Sequence, residues 1–220
     1  MNTPLRIRYQ TVEFGDTDIH LCTLRDKQQF NDPDGVAKDL GISPALWSLF
    51  GVLWPSSIVL ANYMIEYITK DKRILEIGCG IALSSLLLNE RLADITATDY
   101  HPEVERFLNR NVLLNNGKRI PFERVDWADD RSELGLFDLI IGSDLLYEEQ
   151  HIQLLANFIQ NHAADKCDVI IIDPGRGRKN KLTKQMNEHG FDDSQIKPIH
   201  TDHLKQKFKG HILKYSRNST

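Results

Sequence analysis

With 220 residues, 41% of them hydrophobic and 26% charged, and a net charge of −4, the chain lies near globular averages, which excludes a disordered or fibrous protein. Cys22, Cys79 and Cys167 are odd in number and lack C-x-x-C spacing, which excludes a disulfide scaffold or a cysteine zinc site and leads us to expect a reducing, cytoplasmic setting. The most apolar stretch, LFGVLWPSSIVLANYMI, is broken by Pro55, Ser56, Ser57 and Asn62, and MNTPLRIRYQ has no apolar core, so neither a membrane span nor an export signal is expected.

In chain order, RIRYQTVEF and IHLCTLRD are β-rich runs flanking the turn-prone GDTD, and they predict an amino-terminal hairpin followed by a loop through DPDG. Pro55 opens a helix, because Ile58, Val59, Ala61, Ile65 and Ile68 follow it at helical spacing. Then the rhythm changes. RILEIG, DITATD, FERVD, FDLIIGS and CDVIIID are short Ile- and Val-rich runs, separated by the helical stretches ALSSLLLNERL, PEVERFLNRNVLLNN and EEQHIQLLANFIQ. Strands alternating with helices imply a parallel sheet covered on both faces. A helix in KLTKQMNEHG and strands in FDDSQIKPI and HILKYSR end the chain. The expected fold class is α/β, a doubly wound, mostly parallel sheet in residues 51–220 with a hairpin and loop extension in 1–50.

Charge is uneven. Residues 1–164 carry −9 and residues 165–220 carry +5, so the tail either presents solvated helix faces or steers an acidic partner, while overall acidity argues against nucleic-acid binding. His200-x-x-His203 has a metal-like spacing without a supporting carboxylate or thiol set, so no metal is expected. No serine lies in a G-x-S-x-G elbow, which argues against an acyl-transfer nucleophile.

LEIGCGIA stands where a buried strand ends and a helix starts, a place where backbone N–H groups let a ligand lie against the chain. A dinucleotide fingerprint would require glycine at 78, 80 and 83, and position 83 is Leu, which argues against NAD or FAD. The arrangement E-x-G-x-G, formed by Glu76, Gly78 and Gly80 around Cys79, resembles the first motif of class I S-adenosylmethionine-dependent methyltransferases. Cys79 itself reads as a small packing residue rather than a nucleophile. The next strand ends at Asp99, where a carboxylate can accept two hydrogen bonds from ribose hydroxyls. The third ends at Asp126 and Trp127, where the family places an acidic side chain near the adenine amine, and the fourth at Ser143 and Asp144. Any one of these carboxylates could be an ordinary turn or cap residue. Four strand tips of suitable chemistry in register point to a ligand at the carboxyl ends of the strands.

Two further segments narrow the resemblance. FDLIIGSDLLYEEQH is similar to the post-strand segment of the protein-lysine methyltransferase branch, whose D-x-x-Y would be Asp144 and Tyr147, and LWPSSIVLANYM is similar to the segment that brings a tryptophan, here Trp54, beside the cofactor. The resemblance implies seven strands, the last two an antiparallel hairpin at the sheet edge. It implies S-adenosyl-L-methionine bound by Trp54, Glu76, Gly78, Cys79, Gly80, Asp99, Asp126, Trp127 and Ser143. It also implies catalysis by Asp144 and Tyr147 on a lysine of a protein substrate. The sequence does not define the oligomeric state, for which a monomer is the expectation. A small-molecule amine acceptor and a cofactor-binding protein without turnover stay open as alternatives. Asp144 could instead cap the following helix, with Tyr147 in the core. Two departures are visible: Ala82 stands where the family often has a third glycine, and the loop DPGRGRKNK, from Asp173 onward, could border the substrate mouth or merely turn.

Overall fold

The computed structural model describes residues 5–218 apart from positions 27, 31, 33, 45, 46, 48, 130–132, 200, 202 and 203, so the expectation for His200 and His203 lies outside the described residues. In β6 (Phe137–Ser143), Leu139 and Ile141 enter one apolar cluster and Ile140 the other, and in β7 (Ala163–Asp173), Ile170 and Ile172 part from Val169 and Ile171 in the same way. Strands that bury successive side chains on opposite faces belong in a sheet covered on both sides. β3 (Arg73–Ile77), β4 (Asp94–Asp99) and β5 (Phe122–Arg124) continue that parallel sheet. β9 (His211–Arg217) runs antiparallel between β7 and β8 (Asp192–Ile196), and the order is β5-β4-β3-β6-β7-β9-β8. The chain therefore proceeds outward from β3 to β5 and returns to the other side of β3 as β6.

Helices α2 (Pro55–Ile65), α3 (Leu83–Glu90) and α4 (Val104–Leu114) supply Leu60, Met64, Leu86 and Leu108 to one cluster. Helices α5 (His151–His162) and α6 (Lys179–Glu188) supply Leu155, Ile159, Leu182 and Met186 to the other.

Some expected boundaries shift. α2 stops at Ile65, which leaves Ile68 77% exposed beyond the apolar stripe. β5 ends at Arg124, because Asp126 opens a turn in which its carbonyl accepts from Asp129 N at 2.9 Å. β7 starts at Ala163, four residues before Cys167, with a register irregularity opposite Phe137 and Leu139. α5 starts at His151 with Gln150 at its N-cap, so Asp144 does not cap it.

The amino-terminal hairpin pairs β1 (Ile7–Phe14) with β2 (Thr17–Leu24), and a short helix α1 (Val36–Asp39) follows in the connecting loop. Phe14, Ile19, Leu21, Leu24 and Phe50 belong to the same cluster as α2, α3 and α4, so the extension shares the core of the main sheet. Asn111 of α4 and Asn115 at its C-cap complete the outer edge of β2. Asn111 accepts from Cys22 N at 2.7 Å and donates to Cys22 O at 3.4 Å, while Asn115 accepts from His20 N at 2.8 Å and donates to His20 O at 2.7 Å. A side-chain amide thus takes the place of a neighbouring strand's peptide group. Asn111 is fully buried. Asn111→Ala leaves the Cys22 amide unpartnered and is expected to cost about 1–3 kcal/mol of stability, measured by denaturant unfolding. An unchanged midpoint would mean that water replaces the asparagine.

Candidate active site

Of the residues singled out in the sequence, Glu76, Gly78, Cys79, Gly80, Asp99, Ser143 and Asp144 lie at or just beyond the carboxyl ends of β3, β4 and β6, on either side of the point where the strand order reverses, while Asp126 and Trp127 follow β5 and Trp54 stands at the start of α2. That crevice is where open α/β sheets bind ligands. The turn after β3 holds Gly78, Gly80 and Ala82 at φ 59°, 55° and 58°. At Gly78 the left-handed backbone comes with crowding, since a Cβ there would lie 2.5 Å from Leu145 Cδ2 and 3.9 Å from Trp127 Cζ2. At Gly80 a Cβ would meet nothing within 4 Å among the described residues, so the turn opens onto space that they leave free. Ala82 takes the left-handed conformation at the N-cap of α3 while fully buried, so the departure from a third glycine is absorbed as backbone strain of about 1–2 kcal/mol rather than by moving the turn.

Asp99, the last residue of β4, accepts from Gly80 N at 2.8 Å through Oδ2 and from His101 N at 2.9 Å through Oδ1. Burial raises its carboxyl above the ordinary range, against the pull of these backbone donors. Each oxygen keeps a lone pair, so the carboxylate and the open space beside Gly80 fit a nucleoside bearing two ribose hydroxyls. His101 stacks on Phe50 at a centroid separation of 4.0 Å and meets Phe30 edge-on at 5.2 Å, and burial lowers its pKa to about 4. Tyr100 donates its hydroxyl to Leu40 O. The loop of the extension therefore closes over the tip of β4, a contact for which the sequence carries no local signal.

Glu76 lies inside the site rather than at its surface. It is 2% exposed, and its Oε2 accepts from Ser85 N at 2.9 Å and from the Ser85 hydroxyl, which ties β3 to α3 behind the glycine turn. Burial is the larger influence and pushes its carboxyl up from 4.5 to about 7, with the Ser85 donors opposing. A carboxyl harder to ionise in the folded state lends stability that is full below pH 4.5 and is lost as pH rises through about 7. Glu76→Gln is expected to flatten the stability profile across that window, read from denaturant midpoints, and an unchanged slope would assign the pH dependence to other groups. Cys79 is buried and donates its backbone N–H to Thr98 O at 2.9 Å, and desolvation holds its thiol well above the ordinary value, so it packs and does not attack.

Asp126 is exposed and binds its own turn, accepting from Ala128 N at 2.9 Å. Trp127 is half-buried against the second cluster, with its ring 6.3 Å from His151 and near the Gly78 turn. Trp54 caps α2, donates its indole N–H to Leu49 O at 3.0 Å and accepts the Ser57 hydroxyl at 2.8 Å. Ser143 is half-buried at the last β6–β7 rung, opposite Ile172.

Asp144, just beyond β6, sits at φ 57° and donates its N–H to Ile172 O at 2.9 Å. Its carboxylate receives both Nε and Nη2 of Arg176, at 2.6 and 2.8 Å, from the loop after β7. That loop is thereby tied to the residue just beyond the tip of β6. Tyr147 is half-buried, and its pKa is pushed up to about 12 by burial first and then by the charges of Asp99, Glu148 and Asp144, with Arg176 opposing. Its ring stands edge-on to His151 at 6.3 Å, so Trp127, His151 and Tyr147 form one aromatic wall. The sequence carries no signal for His151 in the site, whereas Arg176 belongs to the loop that it leaves open between a border of the substrate mouth and a turn. A separate groove of about 800 Å³, lined in part by Tyr67, Lys72, Arg73 and Asp138, opens at the opposite ends of the strands and touches none of these groups.

Among the described residues no group of three or more His, Cys, Asp or Glu could hold a metal ion, and no helix is long and apolar enough to cross a membrane.

The seven-stranded order defines a class I methyltransferase fold. The T. thermophilus 16S rRNA N2 G1207 methyltransferase (RsmC) superposes with a TM-score of 0.68 at 12% identity over 98% of this chain and 52% of that one, and a methyltransferase from Pyrococcus furiosus with 0.58 at 20% identity over 84% and 97%. Residues 45–188 match the family described as lysine methyltransferase, and the chain belongs to that family. Among curated relatives, the histidine protein methyltransferase 1 homolog of Dictyostelium discoideum is 38% identical over 119 residues, covering 50% of this chain and 38% of the relative. Protein N-lysine methyltransferase METTL21A of Danio rerio is 28% identical over 136 residues, covering 57% and 62%. The chain thus matches only part of the length of each of these relatives.

Proposed function

We propose that this protein is an S-adenosylmethionine-dependent N-methyltransferase acting on a lysine side chain of a protein substrate, in a reducing cytoplasm. The observation that carries the reading is the meeting of the Gly80–Asp99 turn and the Asp144–Tyr147 pair at the carboxyl ends of β4 and β6, the two parallel neighbours of β3. Family membership supports the acceptor class. The three free, buried cysteines accord with the compartment.

The cofactor, when bound, supplies a methyl group on a sulfonium. In this reading Gly78, Cys79 and Gly80 lend it backbone, Asp99 takes the ribose, Asp126 and Trp127 border the base, and Trp54 and Ser143 border the methionine end. Glu76 acts from behind, by fixing α3 to the turn. Methyl transfer needs a nitrogen lone pair, and a free lysine amine with a pKa of about 10.4 is neutral roughly once in a thousand near pH 7.4. Asp144 accepts N–H bonds so that the lone pair faces the methyl group, and Tyr147, whose raised pKa keeps its hydroxyl protonated, packs on the apolar stem.

Incubation of a lysate with the protein and methyl-labelled cofactor tests this. Label that precipitates with protein and maps to lysine is expected. Label confined to the small-molecule fraction would replace this reading with that of a free-amine methyltransferase. Deleting the hairpin does not separate the two, because Ile19 and Leu21 are core residues.

A further inference from the structure

We infer that Arg176 determines acceptor specificity: its guanidinium occupies the place on Asp144 that the acceptor's cationic side chain must take, and it withdraws to Asp173 when that cation arrives. This rests on the proposed acceptor role of Asp144.

Both oxygens of Asp144 are engaged by the Arg176 fork, at 2.6 and 2.8 Å. Two-pronged contact is a strong form of carboxylate recognition, and although each oxygen keeps a second lone pair, the guanidinium neutralises the charge with which Asp144 would orient the acceptor amine. The Asp144 side chain is 17% exposed and that of Arg176 40%, so the guanidinium covers the carboxylate from the solvent side, the side from which an acceptor arrives.

The loop is built to let that one side chain move. Arg176 stands between Gly175 and Gly177, at φ 102° and 79°, and neither glycine has a neighbour among the described residues within 4 Å of where a Cβ would lie. Immediately downstream the chain is held, because Arg178 Nη1 donates to Leu146 O at 3.5 Å and Lys181 pairs with Glu149. The swivel is confined to the residues around Arg176.

A second carboxylate stands three residues upstream of Arg176, at the end of β7. Asp173 is 1% exposed, its Oδ1 accepts from Arg176 N at 3.3 Å, and its Oδ2 is buried with no hydrogen-bond partner among the described residues. Its charge already bears on the Arg176 guanidinium. A buried carboxylate oxygen without a donor is costly, so a guanidinium leaving Asp144 gains a partner there. An acceptor must therefore displace a tethered cation. A small amine has only its own charge for this, whereas a lysine presented by a protein adds the affinity of remote surface.

The test uses full-length protein loaded with S-adenosylhomocysteine and, as probe, N-acetyl-lysine methylamide, with binding followed by NMR on the arginine Nε–H resonance that R176Q abolishes. In the wild type, saturating probe should shift that resonance. R176Q should bind the probe at least about fivefold more tightly, because the binding-competent fraction is no longer limited by the latch. R176K, which keeps a charge without the fork, should fall between, and D173N, which removes the second carboxylate, should bind more weakly than wild type. A purely structural role for Arg176 would make R176Q bind no better and melt earlier. Equal binding by wild type and R176Q, no binding to R176Q, or an Arg176 resonance unmoved by the probe would each overturn the inference. D144N separates the layers: if it abolishes probe binding while R176Q gains nothing, only the latch fails, and if it leaves probe binding intact, the acceptor role of Asp144 fails with it.

Discussion

Asp144→Ala is expected to lower methyl transfer by at least about 100-fold, the scale of a lost positioned acid–base or orienting group, while cofactor affinity stays within about twofold. Asp144 lies beyond the tip of β6 and its carboxylate is turned to Arg176, so its removal leaves the glycine turn and the Asp99 contacts untouched. Tyr147→Ala should act in the same direction. Tyr147→Phe keeps the ring against His151 and removes only the hydroxyl, so it divides stem packing from hydrogen bonding. Single-turnover transfer and calorimetric binding of S-adenosylhomocysteine check both. Equal losses in binding and turnover would assign Asp144 to the architecture of the site instead.

Asp99→Ala should weaken cofactor binding by about 1–3 kcal/mol, roughly 5- to 150-fold, as removal of a charged acceptor does. The carboxylate does two things at once. It holds the Gly80 and His101 amides in the turn, and it offers its remaining lone pairs to the ribose. Asp99→Asn keeps one acceptor oxygen and should recover part of the loss. Unchanged affinity in Asp99→Ala would remove Asp99 from the cofactor site, and tight NADH binding in place of S-adenosylmethionine would sink the reading as a whole.

What was legible in the sequence is what is encoded over short distances. Strand runs such as FDLIIGS and VIIID announce burial on two faces within a few residues, and the E-x-G-x-G turn, Asp99 and D-x-x-Y each lie at the end of such a run. The contacts that were not legible join residues far apart. Arg176 reaches Asp144 across 32 positions, and Asn111 of α4 and Asn115 at its C-cap reach β2 across 89 and 95. Nothing in DPGRGRK distinguishes a turn from a latch until the sheet sets β7 beside β6. Asn111 and Asn115 read as ordinary polar positions of an amphipathic helix until a strand edge is seen to face them. The short β5 has the same origin: three residues pair with β4 before Asp126 draws the chain into its own turn, and the apolar pattern of FERVD carries no mark of that stop.

The way α4 closes the edge of β2 also links the two ends of the site in time. The amides of His20 and Cys22 point away from β1 to the asparagines, while those of Ile19 and Leu21 point toward it. When α4 loosens, solvent deuterium therefore reaches residues 20 and 22 first, and the alternation along β2 becomes a record of that opening. α4 follows directly from the Asp99 tip, so a ligand that binds only the closed form must slow exchange at these two amides. A strand with no residue in the crevice then reports whether the crevice is filled.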